Sequence, residues 1–477
     1  MSTFVDAVVN QEARTANGMK ARKSTASAVV DLFYNAGASR GKNIVPAFAA
    51  AMAEDRSLAL RVAAWLRDVR SGAGERQLFR DILVYLEKTD TVAAKALVAK
   101  VPELGRWDDL FVFNSKELKE EAYTLLGNAL REKNGLAAKW TPRQGKLAAE
   151  IRTFFGMSPK FYRKSLVEMT NVVETNMCAK DWNGINFSHV PSVAASRYKK
   201  AFNRNTPAYA SYVAELIKDP KDRTVEVKVN AGAVYPYDVL KGRISGYGLE
   251  YDKTELDLIQ KQWEALPNFV GDANILPLID VSGSMSTSAG GLKSKLTCLE
   301  VAVSLGLYLA DKNSGKFKDT FLTFSDKPEL MTLEGNINEK ISQMVSSDWG
   351  MSTDLNRAFD KILDVSIKGT VPNSEMPEML LILSDMQFNA CVTHDDSAIE
   401  MIARKYEAAG YALPKVVFWN LKDAYGNTPV KFDKSGAALV SGFSPAIVKP
   451  LLSGDMEGFS PESVMLKTIM DDRYTVI

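Results

Sequence analysis

The stretch ILPLIDVSGSMS (residues 275–286) decides the fold class. Its first five residues are apolar without a break and Asp280 closes the run. A short apolar run with no alternation is what a strand covered on both faces requires. Three more runs of this kind follow: TFLTFS (320–325), EMLLILSD (378–385) and KVVFWNL (415–421), with helical stretches after or between them. The pattern predicts a doubly wound α/β sheet over residues 274–477, a fold that binds ligands at the carboxyl ends of its strands.

Asp280, Ser282 and Ser284 stand at alternate positions just after the first run, so one carboxylate and two hydroxyls can face one crevice. A lone loop of this kind also serves as a capping turn, but two further pieces follow in order. Thr353, in GMSTDLNRAF (350–359), opens a helix, and Asp385, in LLILSDMQF (380–388), ends another buried run. Hard oxygen donors from three strand-end loops, without sulfur or imidazole, suit Mg2+ or a similar divalent cation.

Outward toward the N-terminus the texture changes. After a tail over residues 1–23, residues 24–222 read as helix after helix. Residues 56–70 place Leu58, Val62, Trp65, Leu66 and Val69 near helical spacing. KELKEEAYTLLGNALREKNG (116–135) ends at a glycine, as a C-capped helix does, and Pro142 in WTPRQGKLAAEIRTFFG (140–156) suits a first helical turn. Helix pairs with short connections predict an α-solenoid of HEAT type, although no fixed period marks its repeats. Residues 223–273 form a junction in which TVEVKVN (224–230) alternates like a strand and TELDLIQKQWEAL (254–266) returns to helix.

The net charge of +1 conceals a division. Residues 275–477 hold 19 Lys and Arg against 26 Asp and Glu, whereas residues 1–274 hold 40 against 32. The excess concentrates in residues 139–205, with 12 basic side chains and four acidic ones. Arg143, Lys146, Lys160, Arg163, Lys164, Arg197, Lys199, Lys200 and Arg204 are candidate phosphate contacts there. Trp140, Phe161, Tyr162, Trp182 and Tyr198 lie among them and offer faces for unpaired bases. The same pattern also fits a solvated helix face with its aromatics buried.

Other classes have little material. Three cysteines (Cys178, Cys298, Cys391), none in a CxxC pair, fit a reducing, cytoplasmic setting. Two histidines, His189 and His394, leave almost nothing for zinc or a His-based triad. The N-terminus has no signal-peptide pattern, and TCLEVAVSLGLYLA (297–310) is broken by Glu300 and too short to span a bilayer. GASRGKN (37–43) misses the phosphate-loop spacing, and no GxSxG or HExxH occurs. No catalytic residue is assigned, and the chain reads as a non-enzyme.

The DxSxS loop, Thr353 and Asp385, in that order, resemble the metal-ion-dependent adhesion site of von Willebrand factor A domains, with all five positions matched. In that family the two Ser and the Thr touch the metal or its waters, the Asp residues sit close, and an acidic group from a partner completes the shell. The resemblance therefore implies Mg2+ and an acidic protein partner. RSGAGERQLFRDIL (70–83), VPELGRWDDLFVF (101–113), PKFYRKSLVEMTNVVE (159–174) and HVPSVAASRYKKAFNR (189–204) resemble the helical TROVE module of the Ro autoantigen family, nearest its phage and plant relatives of unknown function. In Ro proteins a ring of HEAT-like helix pairs is closed by an A domain, and small structured RNAs and single-stranded RNA ends bind the ring. The resemblance implies a monomeric, RNA-binding ring. It adds His189, in FSHVPS (187–192), which is similar to a Ser-His near a Pro-Ser in the family's RNA-binding region, though the spacing differs. The alternatives are a metal-dependent protein-interaction scaffold and a phage structural or accessory protein without RNA.

Overall fold

A computed structural model describes residues 12–232, 234–244, 253–290, 294–324, 327–346, 353–389, 398–422, 428–453 and 458–477. Cys391 and His394 lie outside the described residues, as does part of the junction. The described residues open with a hairpin of β1 (Glu12–Arg14) and β2 (Lys20–Arg22), continue through helices, and end in an α/β domain.

The α/β domain holds β3 (Ile275–Asp280), β4 (Thr320–Phe324), β5 (Leu330–Thr332), β6 (Met379–Ser384), β7 (Lys415–Asn420) and β8 (Ala437–Ser441). Their order is β5-β4-β3-β6-β7-β8, parallel throughout except for β5, which runs antiparallel to β4. The four apolar runs are β3, β4, β6 and β7. Ile279, Leu383, Trp419 and Val440 point into one core, shared with helix Cys298–Lys312. Leu278, Ile382, Phe418 and Leu439 point into the other, against helices Leu355–Lys368 and Ala398–Ala408. Burial on both faces removes the need for a polar alternate, so these strands carry no alternation. The reading of the sequence lacked β8 and the edge strand β5: AALVS is small and short, and LMT stays partly exposed.

Side-chain caps start many of the helices. Ser27 accepts from Val30 N before helix Ala28–Ala36, and Asp55 from Leu58 N before Arg56–Arg67. Asp90, Ser158 and Thr206 act likewise for Thr91–Leu104, Pro159–Met169 and Pro207–Ile217. Apolar faces from Val29 to Leu166 join the sheet's first core without interruption. Beyond them Phe187, Val190, Phe202, Tyr209, Val213 and Leu258 make a separate small core. Helix Pro207–Ile217 packs on Lys253–Glu264, which packs on Ile337–Ser346, where Gln260 Oε1 accepts from Ile337 N at 2.9 Å. Both ends of the helical region therefore rest on the α/β domain.

Four expectations are corrected. Within the tail expected over residues 1–23, residues 12–22 form a hairpin bridged to Asn389 and Thr428. Among the described residues TVEVKVN has no strand partner; it lies over the His189 turn, where Asn230 Nδ2 donates to Ser188 O and Val190 O at 2.9 and 3.0 Å. The helix from Lys116 stops at Arg131, because Lys133 takes the left-handed conformation (φ 56°) and Asn134 caps the next helix, which Gly135 begins. Pro142 sits between helices, its carbonyl accepting from Tyr162 OH at 2.7 Å, and the following helix starts at Gly145.

Helix Ala28–Ala36 meets the sheet at the carboxyl end of β8. Gly37 N donates to Ser441 Oγ at 3.1 Å, and that hydroxyl donates to Phe33 O at 3.0 Å. Gly37 has φ −66°, which any residue adopts, so the requirement for glycine is space. A Cβ there would lie 2.8 Å from Gly442 N and from the Ser441 carbonyl, all of it backbone. Gly37→Ala is expected to cost about 1–3 kcal/mol as an overpacking change, seen as a lower thermal midpoint. A variant that melts with the wild type would remove this contact as the anchor.

Candidate metal centre and basic cavities

β3 delivers Asp280 at its carboxyl end, and the neighbouring strand β6 ends one residue before Asp385. Asp280 is fully buried: its Oδ1 accepts from Ser282 N at 3.0 Å and its Oδ2 from Ser384 Oγ at 2.5 Å. Ser282 Oγ and Ser284 Oγ are 3.0 Å apart, and Ser284 hydrogen-bonds to Asp385. Asp280, Ser282, Ser284 and Asp385 thus form one group. Thr353 reaches it through a loop, donating from Oγ1 to Gln387 O at 2.7 Å, while Asn389 N donates to Thr353 O at 2.8 Å. Met386, between Asp385 and that loop, is buried with φ 63°, a strained conformation for a non-glycine residue.

Burial, and then the charge of Asp385, push the Asp280 carboxyl up to about 7. Burial likewise raises Asp385, opposed by Ser284 and the charge of Lys422. Two buried carboxylates side by side resist ionising together. A divalent cation between them would relieve that repulsion. Among the described residues no three His, Cys, Asp or Glu side chains converge, so such a cation would be held by these two carboxylates with hydroxyls. The donor set is hard oxygen throughout and fits Mg2+.

Two parts of the centre escaped the sequence. Ser384, one residue before Asp385, fixes Asp280 and also accepts from Met386 N at 2.9 Å. The hairpin tip clasps the loop that holds Thr353: Thr15 Oγ1 donates to Phe388 O, Ala16 N to Gln387 Oε1 at 2.8 Å and Asn17 Nδ2 to Gln387 O at 2.7 Å. Ser384 had a signal in its place beside Asp385. The hairpin, more than 350 residues away in the chain, had none.

The basic candidates fall into two cavities and their rims. One, of about 300 Å3, is lined by Arg143, Arg152 and Arg163 with Gln144, Pro159, Tyr162 and small residues. The other, of about 280 Å3, is lined by Lys199, Lys200, Asn203 and Arg204 with Glu255. Lys146, Lys160, Arg197 and His189 are exposed, and exposed Lys164 lies 3.7 Å from Glu168. Arg152 is the lining residue that sequence reasoning left out of the site. Most of the aromatic faces are taken. Trp182 and Tyr198 pack on the small core, Tyr162 is buried, and Trp140 lies under the Arg106 guanidinium at 3.6 Å. Phe161, 58% exposed, stays open for stacking.

Comparisons with known proteins give descriptions without an activity. Residues 15–102 and 146–273 match a domain of unknown function (DUF2828), and residues 274–473 match another (DUF7788). The uncharacterized protein L728 of Acanthamoeba polyphaga mimivirus is 29% identical over 95% of this chain and 86% of its own length. The Ro (RSR) protein of Deinococcus radiodurans overlays 98% of this chain and 94% of its own at 15% identity, with a TM-score of 0.36. Among the described residues no helix is long and apolar enough to cross a membrane.

Asp280→Asn keeps the shape of the side chain and removes one of the two crowded charges. The metal-free variant is expected to melt at or above the wild-type temperature and to give a flat calorimetric Mg2+ titration. Unchanged Mg2+ binding by the folded variant would remove the centre.

Proposed function

We propose that this chain is a non-enzymatic RNA-binding protein. Its helical region would form a ring that takes small structured or single-stranded RNA, and its α/β domain would hold Mg2+ at Asp280, Ser282, Ser284, Thr353 and Asp385. The observation that carries the reading is the pair of cavities walled by Arg143, Arg152 and Arg163 and by Lys199, Lys200 and Arg204, in a chain whose net charge is only +1. Basic side chains gathered in concave places neutralise phosphates and release counterions. The resemblance of the helical motifs to the Ro family supports the same reading. At the other end, an acidic side chain from a protein partner would complete the Mg2+ shell.

The test reverses Arg163, Lys164, Lys199 and Lys200 to Glu and follows a labelled single-stranded RNA by fluorescence anisotropy at several salt concentrations. Phosphate contacts are blind to sequence, so affinity is expected to fall for every RNA alike. The salt dependence should flatten by about 0.7 slope units for each phosphate of a single strand that the variant no longer neutralises. Asp280→Asn should bind RNA nearly as the wild type does. Wild-type protein that binds no RNA at low salt would overturn the reading and favour the metal-dependent scaffold.

A further inference from the structure

We propose that the cavity walled by Arg143, Arg152 and Arg163 receives a terminal phosphate, the phosphomonoester end of a nucleic-acid strand. The strand part of this inference rests on the RNA reading above; the phosphomonoester part does not. The cavity lies between helices Gly145–Phe154 and Pro159–Met169, and its volume of about 300 Å3 is at the low end for small-molecule sites.

Its charge balance is what sets it apart. No carboxylate lines it. The hydrogen bonds that its arginines make go to neutral groups: Arg143 Nη2 donates to Thr170 Oγ1 at 2.8 Å and Arg163 Nε to Pro159 O at 3.4 Å. Among the described residues none of the three forms an ion pair. The nearby acids are engaged elsewhere, Glu150 with Lys119 at 2.9 Å and Glu168 with Lys164 at 3.7 Å. Other arginines of the helical region show the contrast. Arg67 and Arg80 lie 2.7 and 2.8 Å from Asp109, and Arg106 pairs with Asp108. The second basic cavity includes Glu255.

Three guanidiniums around one concavity outmatch an internal phosphodiester, which carries a single charge. A phosphomonoester carries about −1.5 to −2 at pH 7 and presents three acceptor oxygens. Planar guanidinium forks bind such oxygens in pairs. The wall is also fixed in advance: Tyr162 OH is held on Pro142 O at 2.7 Å, and Thr170 donates to Leu166 O at 2.6 Å while accepting from Arg143. Ala148 and Ala149 leave the floor free of side-chain bulk.

The full chain is titrated with internally labelled short RNAs that are identical except for a 5′-phosphate, a 3′-phosphate or two hydroxyl ends, and separately with AMP and adenosine. One phosphorylated end is expected to tighten binding about tenfold over the hydroxyl-ended strand, which is about 1.4 kcal/mol. Arg152→Gln, and independently Arg143→Gln with Arg163→Gln, should bring that ratio close to one, with circular dichroism confirming the fold. The double variant Lys199→Glu, Lys200→Glu should keep the ratio whatever its overall affinity. RNA binding with no preference for a phosphorylated end, or a preference that survives both arginine variants, overturns the proposal and leaves the RNA reading intact. No RNA binding, with AMP preferred over adenosine in an Arg152-dependent way, overturns the strand end and supports a free mononucleotide in its place. Neither RNA nor AMP binding overturns both readings.

Discussion

The carboxyl end of helix Ala28–Ala36 reaches the turn after β8 because Gly37 has no side chain and Gly442 adopts a φ of 101°. Two backbones in direct contact leave no freedom in how the helix sits on the sheet, and the following segments inherit that placement. Arg40 comes to rest 4.2 Å over the Phe443 ring and pairs with Glu75 at 2.6 Å, although burial pushes the Glu75 carboxyl up. The far end of the chain returns to the same helices: Arg473 pairs with buried Asp68 at 2.6 Å, and Tyr474 OH donates to it at 3.1 Å. An unpaired charge at Asp68 would be costly, so the C-terminal residues act as a second clamp on the first helices.

This joint lies at the end of the sheet where the candidate metal centre lies. Asp280 and Ser441 close β3 and β8, Asp385 directly follows β6, and these strands run parallel. The hairpin that precedes the first helix crosses to the loop holding Thr353. The candidate metal centre and the attachment of the helical region therefore share a loop system. Strain at Met386 and repulsion between two buried carboxylates are kept within a frame fastened from both domains.

The charged surface is organised on the opposite principle. Around Arg67, Arg80, Arg106, Asp108 and Asp109, charges of both signs meet in a closed, partly buried network that stabilises the helices. Around Arg143, Arg152 and Arg163 positive charge stands over a cavity with no acid in its lining. The first arrangement satisfies itself, and the second is complementary to an anion.

Residue order alone carries the buried parallel strands, since an unbroken apolar run such as MLLILS has few other uses, and it carries the oxygen-donor loop after β3, whose spacing is local. Helix-rich texture and the concentration of basic residues are equally local properties. What the order of residues does not carry is who faces whom. TVEVKVN alternates as a strand does, yet among the described residues no strand edge pairs with it, and Asn230 holds it on another turn instead. AALVS, with little apolar bulk, becomes a strand because β7 offers an edge and helix Pro461–Ile469 covers it. Trp182 and Tyr198 resemble stacking faces until packing sets them against a core, and Arg152 joins a cavity lining when the fold brings it beside Arg143 and Arg163. Hydrogen-bond partners, burial and the company of like charges depend on contacts between distant segments, so tertiary packing alone decides them.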